Sequence, residues 1–192
     1  NDEGYVVNAL GMMIGNGLVS EIEPITIGKS SDTYDMLFYN KKPAKYLTTT
    51  QRQKLNIKSP LKEKTHADGE KPMIGELKTT LSGFCQDIDK DSTRKKASDV
   101  QLLVCWEQGK KVPDGWELKK REIGLGLVRC SNYTLKKGTP LGQPGVSMEV
   151  LVLSEYLEEH HKASLEYQKR LDAHKNDSTK PHPGEFVWPN LA

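Results

Sequence analysis

Met73-Ile-Gly-Glu-Leu-Lys-Thr-Thr-Leu81 has the length of a short buried strand, with apolar residues on both sides of two charged ones. Side chains alternate faces along a strand, so Glu76 and Lys78 point the same way, about 6.6 Å apart along the chain. A carboxylate and an ammonium on an otherwise apolar strand are costly to bury unless they are paired or put to use. As a surface ion pair on an edge strand they would contribute about 0–1 kcal/mol. As half of an active site, Glu76 would hold a divalent cation and Lys78 would steady a charged transition state. The three-residue pattern does not choose between these readings; the flanking chain has to.

Upstream, residues 40–72 are polar, Lys-rich and without periodicity. Lys41, Lys42, Lys45, Arg52, Lys54, Lys58, Lys62, Lys64 and Lys71 face only Glu63, Asp68 and Glu70. This reads as a long insertion between two strands, with a helical turn near Thr50 to Leu55. A charge run is by default a solvated loop, but beside an acidic site the same positive excess suits a phosphate backbone. Ahead of it, Thr33-Tyr-Asp-Met-Leu-Phe-Tyr39 predicts an aromatic-rich strand with Asp35 in its middle, where Asp is among the poorest formers. Ile22 to Ile27 predicts a first strand. Residues 4–18 have helical spacing, with Val6, Leu10, Met13, Ile14 and Leu18 on one stripe. Asn1 and Asp2 would cap that helix, and Glu3 falls in its first turn, where the helix dipole favours an acid.

Downstream, Ser82-Gly-Phe-Cys-Gln-Asp-Ile88 predicts a helix capped by Ser82, with Phe84 and Ile88 one turn apart. It runs into the basic triplet Arg94-Lys-Lys96. Val100-Gln-Leu-Leu-Val-Cys-Trp106 is a continuous apolar run, the pattern of a strand covered on both faces. Two further strands are expected near Ile123–Arg129 and Met148–Leu153, and a charged helix capped by Ser154 from about Glu155 to Lys175. Adjacent His160 and His161 point apart on that helix and read as an exposed face.

At 192 residues the chain suits one domain with appendages. It is 35% hydrophobic and 28% charged, and its mean hydropathy of −0.65 is on the polar side of ordinary. No apolar run reaches the length of a membrane span, so no membrane is expected as a partner. Cys85, Cys105 and Cys130 lie far apart with no Cys-x-x-Cys, which argues for reduced thiols in an intracellular protein (cytoplasm, nucleoid or nucleus) and against a zinc site. The first residue is Asn1 rather than Met, which points to a piece of a longer protein. A net charge of +2 announces no nucleic-acid binder by itself; the clustering of the charge matters more.

The order helix, strand, strand with Asp35, strand with Glu76-x-Lys78, helix, strand resembles the PD-(D/E)xK nuclease superfamily, the restriction-endonuclease-like fold. The signature stands here as Thr33-Tyr-Asp35-Met and Ile74-Gly-Glu76-Leu-Lys78-Thr, and the likeness covers about residues 1–106. It implies an α/β protein with an αβββαβ core, a mixed central sheet flanked by helices, and added C-terminal strands and helix. A single nuclease-like domain would span 1–175 (core 1–106, insertion 40–72, extension 107–175), with an irregular tail at 176–192. Gly75-Glu-Leu-Lys-Thr-Thr-Leu81 followed by Asp99-Val-Gln-Leu-Leu-Val-Cys-Trp106 also looks like segments attached C-terminally to GHKL-type ATPases. An ATPase domain of the same longer chain is therefore an expected partner.

The resemblance implies hydrolysis of DNA phosphodiester bonds with Mg²⁺ or Mn²⁺. Asp35, Glu76 and Lys78 would be the catalytic residues. Asp35, Glu76 and the Leu77 carbonyl would ligate the metal, since Mg²⁺ needs only one or two carboxylates beside water and phosphate. Glu3 is a further candidate ligand from the first helix. Lys41, Lys42, Lys45, Arg52, Lys54, Arg94, Lys95 and Lys96 would take the phosphate backbone. Tyr34 replaces the Pro that precedes the Asp in the family pattern. The long insertion is cheap, since each doubling of a loop costs about 0.6 kcal/mol. Pro113-Asp-Gly-Trp-Glu117-Leu-Lys119 repeats the motif letters more literally, but Pro-Asp-Gly is a tight-turn sequence and the segment reads as a surface hairpin. The alternative is a non-catalytic nucleic-acid-binding or dimerisation module on the same fold, a homodimer being compatible with either. A third is an enzyme idle until its ATPase half activates it.

Overall fold

The stripe of Val6, Leu10 and Met13 drives formation of α1 (Glu3–Gly15), whose three stripe residues are all buried. Leu18 N–H returns to the Met13 carbonyl, and Gly17 at φ 73° supplies the left-handed turn that stops the helix. The computed structural model describes residues 3–19, 21–27, 34–40, 72–90, 96–121, 128–138, 145–177 and 179–180. The helix caps expected at Asn1 and Asp2, the Lys-rich insertion of residues 41–71 and its helical turn lie outside them.

The remaining elements are β1 (Ile22–Ile27), β2 (Met36–Asn40), β3 (Met73–Thr80), α2 (Leu81–Asp89), a 3₁₀ turn (Ala97–Asp99), β4 (Leu102–Glu107), β5 (Trp116–Lys120), β6 (Tyr133–Lys137), β7 (Val146–Val152) and α3 (Leu153–Asn176). The strands form one seven-stranded mixed sheet in the order β1-β2-β3-β4-β7-β6-β5. β1, β2 and β3 pair antiparallel, β3, β4 and β7 parallel, and β7, β6 and β5 antiparallel again. The protein is thus mixed α/β, with three α-helices among the described residues.

Two apolar layers cover the sheet. Leu77, Leu102, Val104 and Leu151 join Leu10 of α1 and Tyr156 of α3 on one face. Leu103, Cys105 and Val150 join Phe84 and Cys85 of α2 on the other. Alternate residues of β4 thus enter opposite layers, which is why its sequence is apolar without a break. Trp116 closes the second layer, edge-on to Phe84 with ring centroids 6.1 Å apart. The three cysteines are buried free thiols. No helix among the described residues is long and apolar enough to cross a membrane.

Three local expectations are corrected. The α2 cap is Thr80, not Ser82: Thr80 Oγ1 accepts from Gly83 N–H at 3.0 Å, and Ser82 is already inside the helix. Ser154 does not cap α3, which runs directly off β7 with Val152 at the N-cap and no side-chain cap. Val152 N–H and C=O are instead held by the buried Asn132 amide at 2.9 and 3.2 Å. Most of the strand expected near Ile123–Arg129 lies outside the described residues; its last two positions, 128 and 129, turn instead, and a strand that was not expected follows at Tyr133–Lys137. Glu149 of β7 draws that turn in, accepting from Val128 N–H at 2.6 Å, Ser131 Oγ at 3.1 Å and Arg121 at 2.5 Å. Asn132→Ala would strand two buried backbone groups, so denaturant unfolding should show a loss of about 2–4 kcal/mol.

Pro113-Asp-Gly-Trp-Glu117-Leu-Lys119 turns at residues 114–115 as expected but is not a hairpin of its own: it leads into strand β5, which pairs with β6 and not with β4. Gly115 has φ 87°, and β5 is the sheet edge. Glu117 and Lys119 pair with each other at 3.2 Å, both more than half exposed.

Candidate functional site

The register of β2 on β3 is Met36 opposite Gly75, Leu37 opposite Ile74 and Phe38 opposite Met73. One step further along an antiparallel pair, Asp35 falls opposite Glu76, and opposed residues share a face. Asp35 is not in the middle of a strand as its sequence setting implied; it forms part of a bend just before β2. The reason is chemical. A short carboxylate can accept a backbone N–H and so end a ladder that Asp extends poorly. Asp35 Oδ2 accepts from Leu77 N–H at 3.1 Å, which places it on the peptide that joins Glu76 to Leu77.

Gly75 lets the two strands close here. A Cβ at this position would lie 2.3 Å from Met36 Cε and 3.3 Å from Met36 Cβ, and Met36 is fully buried. A strand glycine where another element approaches closely is the usual reading of such a residue.

Glu76 is completely buried. Leu77 packs in the layer under α1, so alternation turns Glu76 and Lys78 toward the α2 side. Lys78 lies near the end of β3, its side chain 16% exposed. Its Nζ is 2.7 Å from Glu3 Oε1, 3.3 Å from Asp87 Oδ2 and 4.0 Å from Glu76 Oε1. Burial pulls the Lys78 pKa down, but the hydrogen bond and charge of Glu3, then Glu76 and Asp87, outweigh it and leave the pKa raised. Lys78 is therefore a cation across the neutral range. Within reach of the Glu76 charge, Tyr34 donates its hydroxyl to Asp99 Oδ2 at 2.6 Å. Burial first, then Asp99, raise the Tyr34 pKa, and the Glu76 charge adds to the effect.

The sheet thus brings together Asp35, Glu76, Leu77 and Lys78. Glu3 reaches the cluster through Lys78 rather than through the two carboxylates. Asp87 was missed by sequence reasoning. Its signal was present, for it lies three residues after Phe84 on the flank of the buried face of α2. Lys96 is exposed, and its backbone N–H donates to Tyr34 Oη at 3.5 Å. Lys41, Lys42, Lys45, Arg52, Lys54, Arg94 and Lys95 lie outside the described residues.

The oxygens of Asp35, Glu76 and the Leu77 carbonyl are of the hard type that Mg²⁺ takes as ligands. The Lys78 ammonium stands 4.0 Å from Glu76 Oε1 and closer to Glu3 and Asp87. The Leu77 carbonyl leaves the strand on the same side as its N–H, toward Asp35. Two carboxylates and a main-chain oxygen leave room for the waters and phosphate oxygens that Mg²⁺ retains. Among the described residues no three His, Cys, Asp or Glu side chains are grouped to hold a metal without such help. No family model, no curated protein and no solved structure matches this chain.

Proposed function

We propose that the chain is a divalent-metal-dependent nuclease domain with a restriction-endonuclease-like core, hydrolysing DNA phosphodiester bonds. The observation that carries this reading is the Asp35 carboxylate hydrogen-bonded to the peptide of the buried Glu76, with cationic Lys78 two residues on. Mg²⁺ or Mn²⁺, held by Asp35, Glu76 and the Leu77 carbonyl, would supply Lewis-acid charge at the scissile phosphate. Lys78 holds a second positive charge where the phosphate becomes more negative as water attacks and the ester P–O bond breaks. Because Lys78 stays protonated, its role is electrostatic and it does not take the proton from the attacking water. The basic segments, Lys96 among them, would bind the backbone. The reading is of an intracellular domain acting beside an ATPase domain of the same longer chain.

One observation favours a second reading, a nucleic-acid-binding or dimerisation module without catalysis. Lys78 is bonded to acids on both α1 and α2, which is how a purely structural ion cluster would pin two helices to the sheet. Incubation with supercoiled plasmid separates the two. The nuclease reading expects nicking with Mg²⁺ or Mn²⁺ that stops on chelation with EDTA; plasmid retained on the protein but never cut would establish the module instead.

A further inference from the structure

Lys78 presents a conflict within the proposed site. A lysine that is to meet a phosphate already holds Glu3 at 2.7 Å and Asp87 at 3.3 Å, while Glu76 stands further off at 4.0 Å. The two closer acids are half exposed, at 49% and 45%, and sit at the rim, on different helices. With the Lys78 side chain only 16% exposed, the two acids are the more solvent-facing members of the cluster. Neither belongs to the pair that would hold the metal.

We propose that Asp87, together with Glu3, is a positioning residue that grips the Lys78 ammonium in competition with the substrate phosphate, so that Lys78 is handed to DNA only when its backbone displaces the two carboxylates. This rests on the nuclease reading above and adds to it a built-in brake on substrate binding. The grip is a rim contact between solvated charges, so its displacement is cheap and the brake is mild. It also suppresses weaker anions, since a lone anion must outcompete two carboxylates at once while a duplex brings many phosphates.

The test is binding of a short fluorescein-labelled duplex in EDTA, read by anisotropy, so that no cleavage and no metal enter the result. Asp87→Asn should tighten the wild-type Kd by about three- to fivefold, whereas Asp87→Glu, which keeps the charge, should restore it. Removing any acid near DNA strengthens binding generally, so the decisive comparison repeats Asp87→Asn in a Lys78→Met background. There the effect should shrink to less than about twofold if the two side chains act on each other. Glu3→Gln, at an exposed position in the first turn of α1, provides a second arm with the same expectation should Asp87→Asn fail to fold. Equal tightening with and without Lys78, or none in either, overturns the brake while leaving wild-type DNA binding in place. A wild-type protein that does not bind the duplex at all overturns the nuclease reading and the brake with it.

Discussion

If the proposed function holds, Glu76→Gln should abolish metal-dependent cleavage and leave the protein as stable as wild type or more so. The substitution keeps the shape of a side chain that has no solvent exposure and removes only its charge. Taking a carboxylate out of water is expensive, and a neutral isostere no longer bears that cost. The same charge is half of the proposed metal site, and the charge stabilisation a metal supplies amounts to several kcal/mol, so nicking should fall by at least about 10³-fold. Plasmid nicking and thermal unfolding of the same preparation give both readouts. A stability gain with activity lost is the signature of a residue kept for function. Undiminished nicking would remove Glu76 from the chemistry and the nuclease assignment with it.

Lys78→Met should separate from Glu76→Gln by losing both activity and stability. Cleavage falls by about 10²–10³-fold, the range for deleting one preorganised charge or donor at a transition state. Divalent binding should survive, because the oxygen ligands remain; calorimetry with Mn²⁺ checks this. The unfolding temperature drops at neutral pH because Glu3, Glu76 and Asp87 are left facing one another without their shared cation. The sign with pH follows from the raised pKa of Lys78 in the fold. A raised lysine stabilises the native state at every pH below the ordinary lysine range, and that contribution is lost as pH rises through the folded value. The stability gap between wild type and variant should thus hold through neutral pH and close only in strong alkali. A gap that is already absent at neutral pH would mean that the three contacts to Lys78 are too well solvated to matter.

Much of the architecture was legible as periodicity. The apolar run of β4 announced a strand buried on both faces, and its residues do enter two different layers. Val6, Leu10 and Met13 of the α1 stripe are legible because 3.6-residue spacing needs no knowledge of the partner surface, whereas Leu18 falls in the turn beyond the helix end at Gly15. Errors gathered where a side chain replaces a backbone partner. Ser82 looked like the cap of α2, yet Thr80 at the end of β3 does that work. Val152 needs no capping hydroxyl because Asn132, twenty residues earlier in the chain, holds its peptide groups. Residues 128 and 129 have a strand-like sequence but turn, because their anchor, Glu149, is far away in sequence. Asp35 was noticed as an acid out of place in a strand, and the resolution is of the same kind: it ends the ladder on Leu77.

Local pattern by itself determined the elements from α1 to β4 and again β7 and α3, though not β5 or β6, together with the placing of Glu76 and Lys78 on one face of β3 and the suspicion that Asp35 belongs with them. Alternation and helical repeat are properties of a few consecutive residues, so they survive without tertiary information. Only the folded chain decided that Asp35 meets the Glu76–Leu77 peptide, that Gly75 makes room for Met36, and that Glu3 and Asp87 converge on Lys78 from two helices. Those are distances between groups up to 75 positions apart, set by how strands register and how helices pack across them, and no local repeat encodes such a distance.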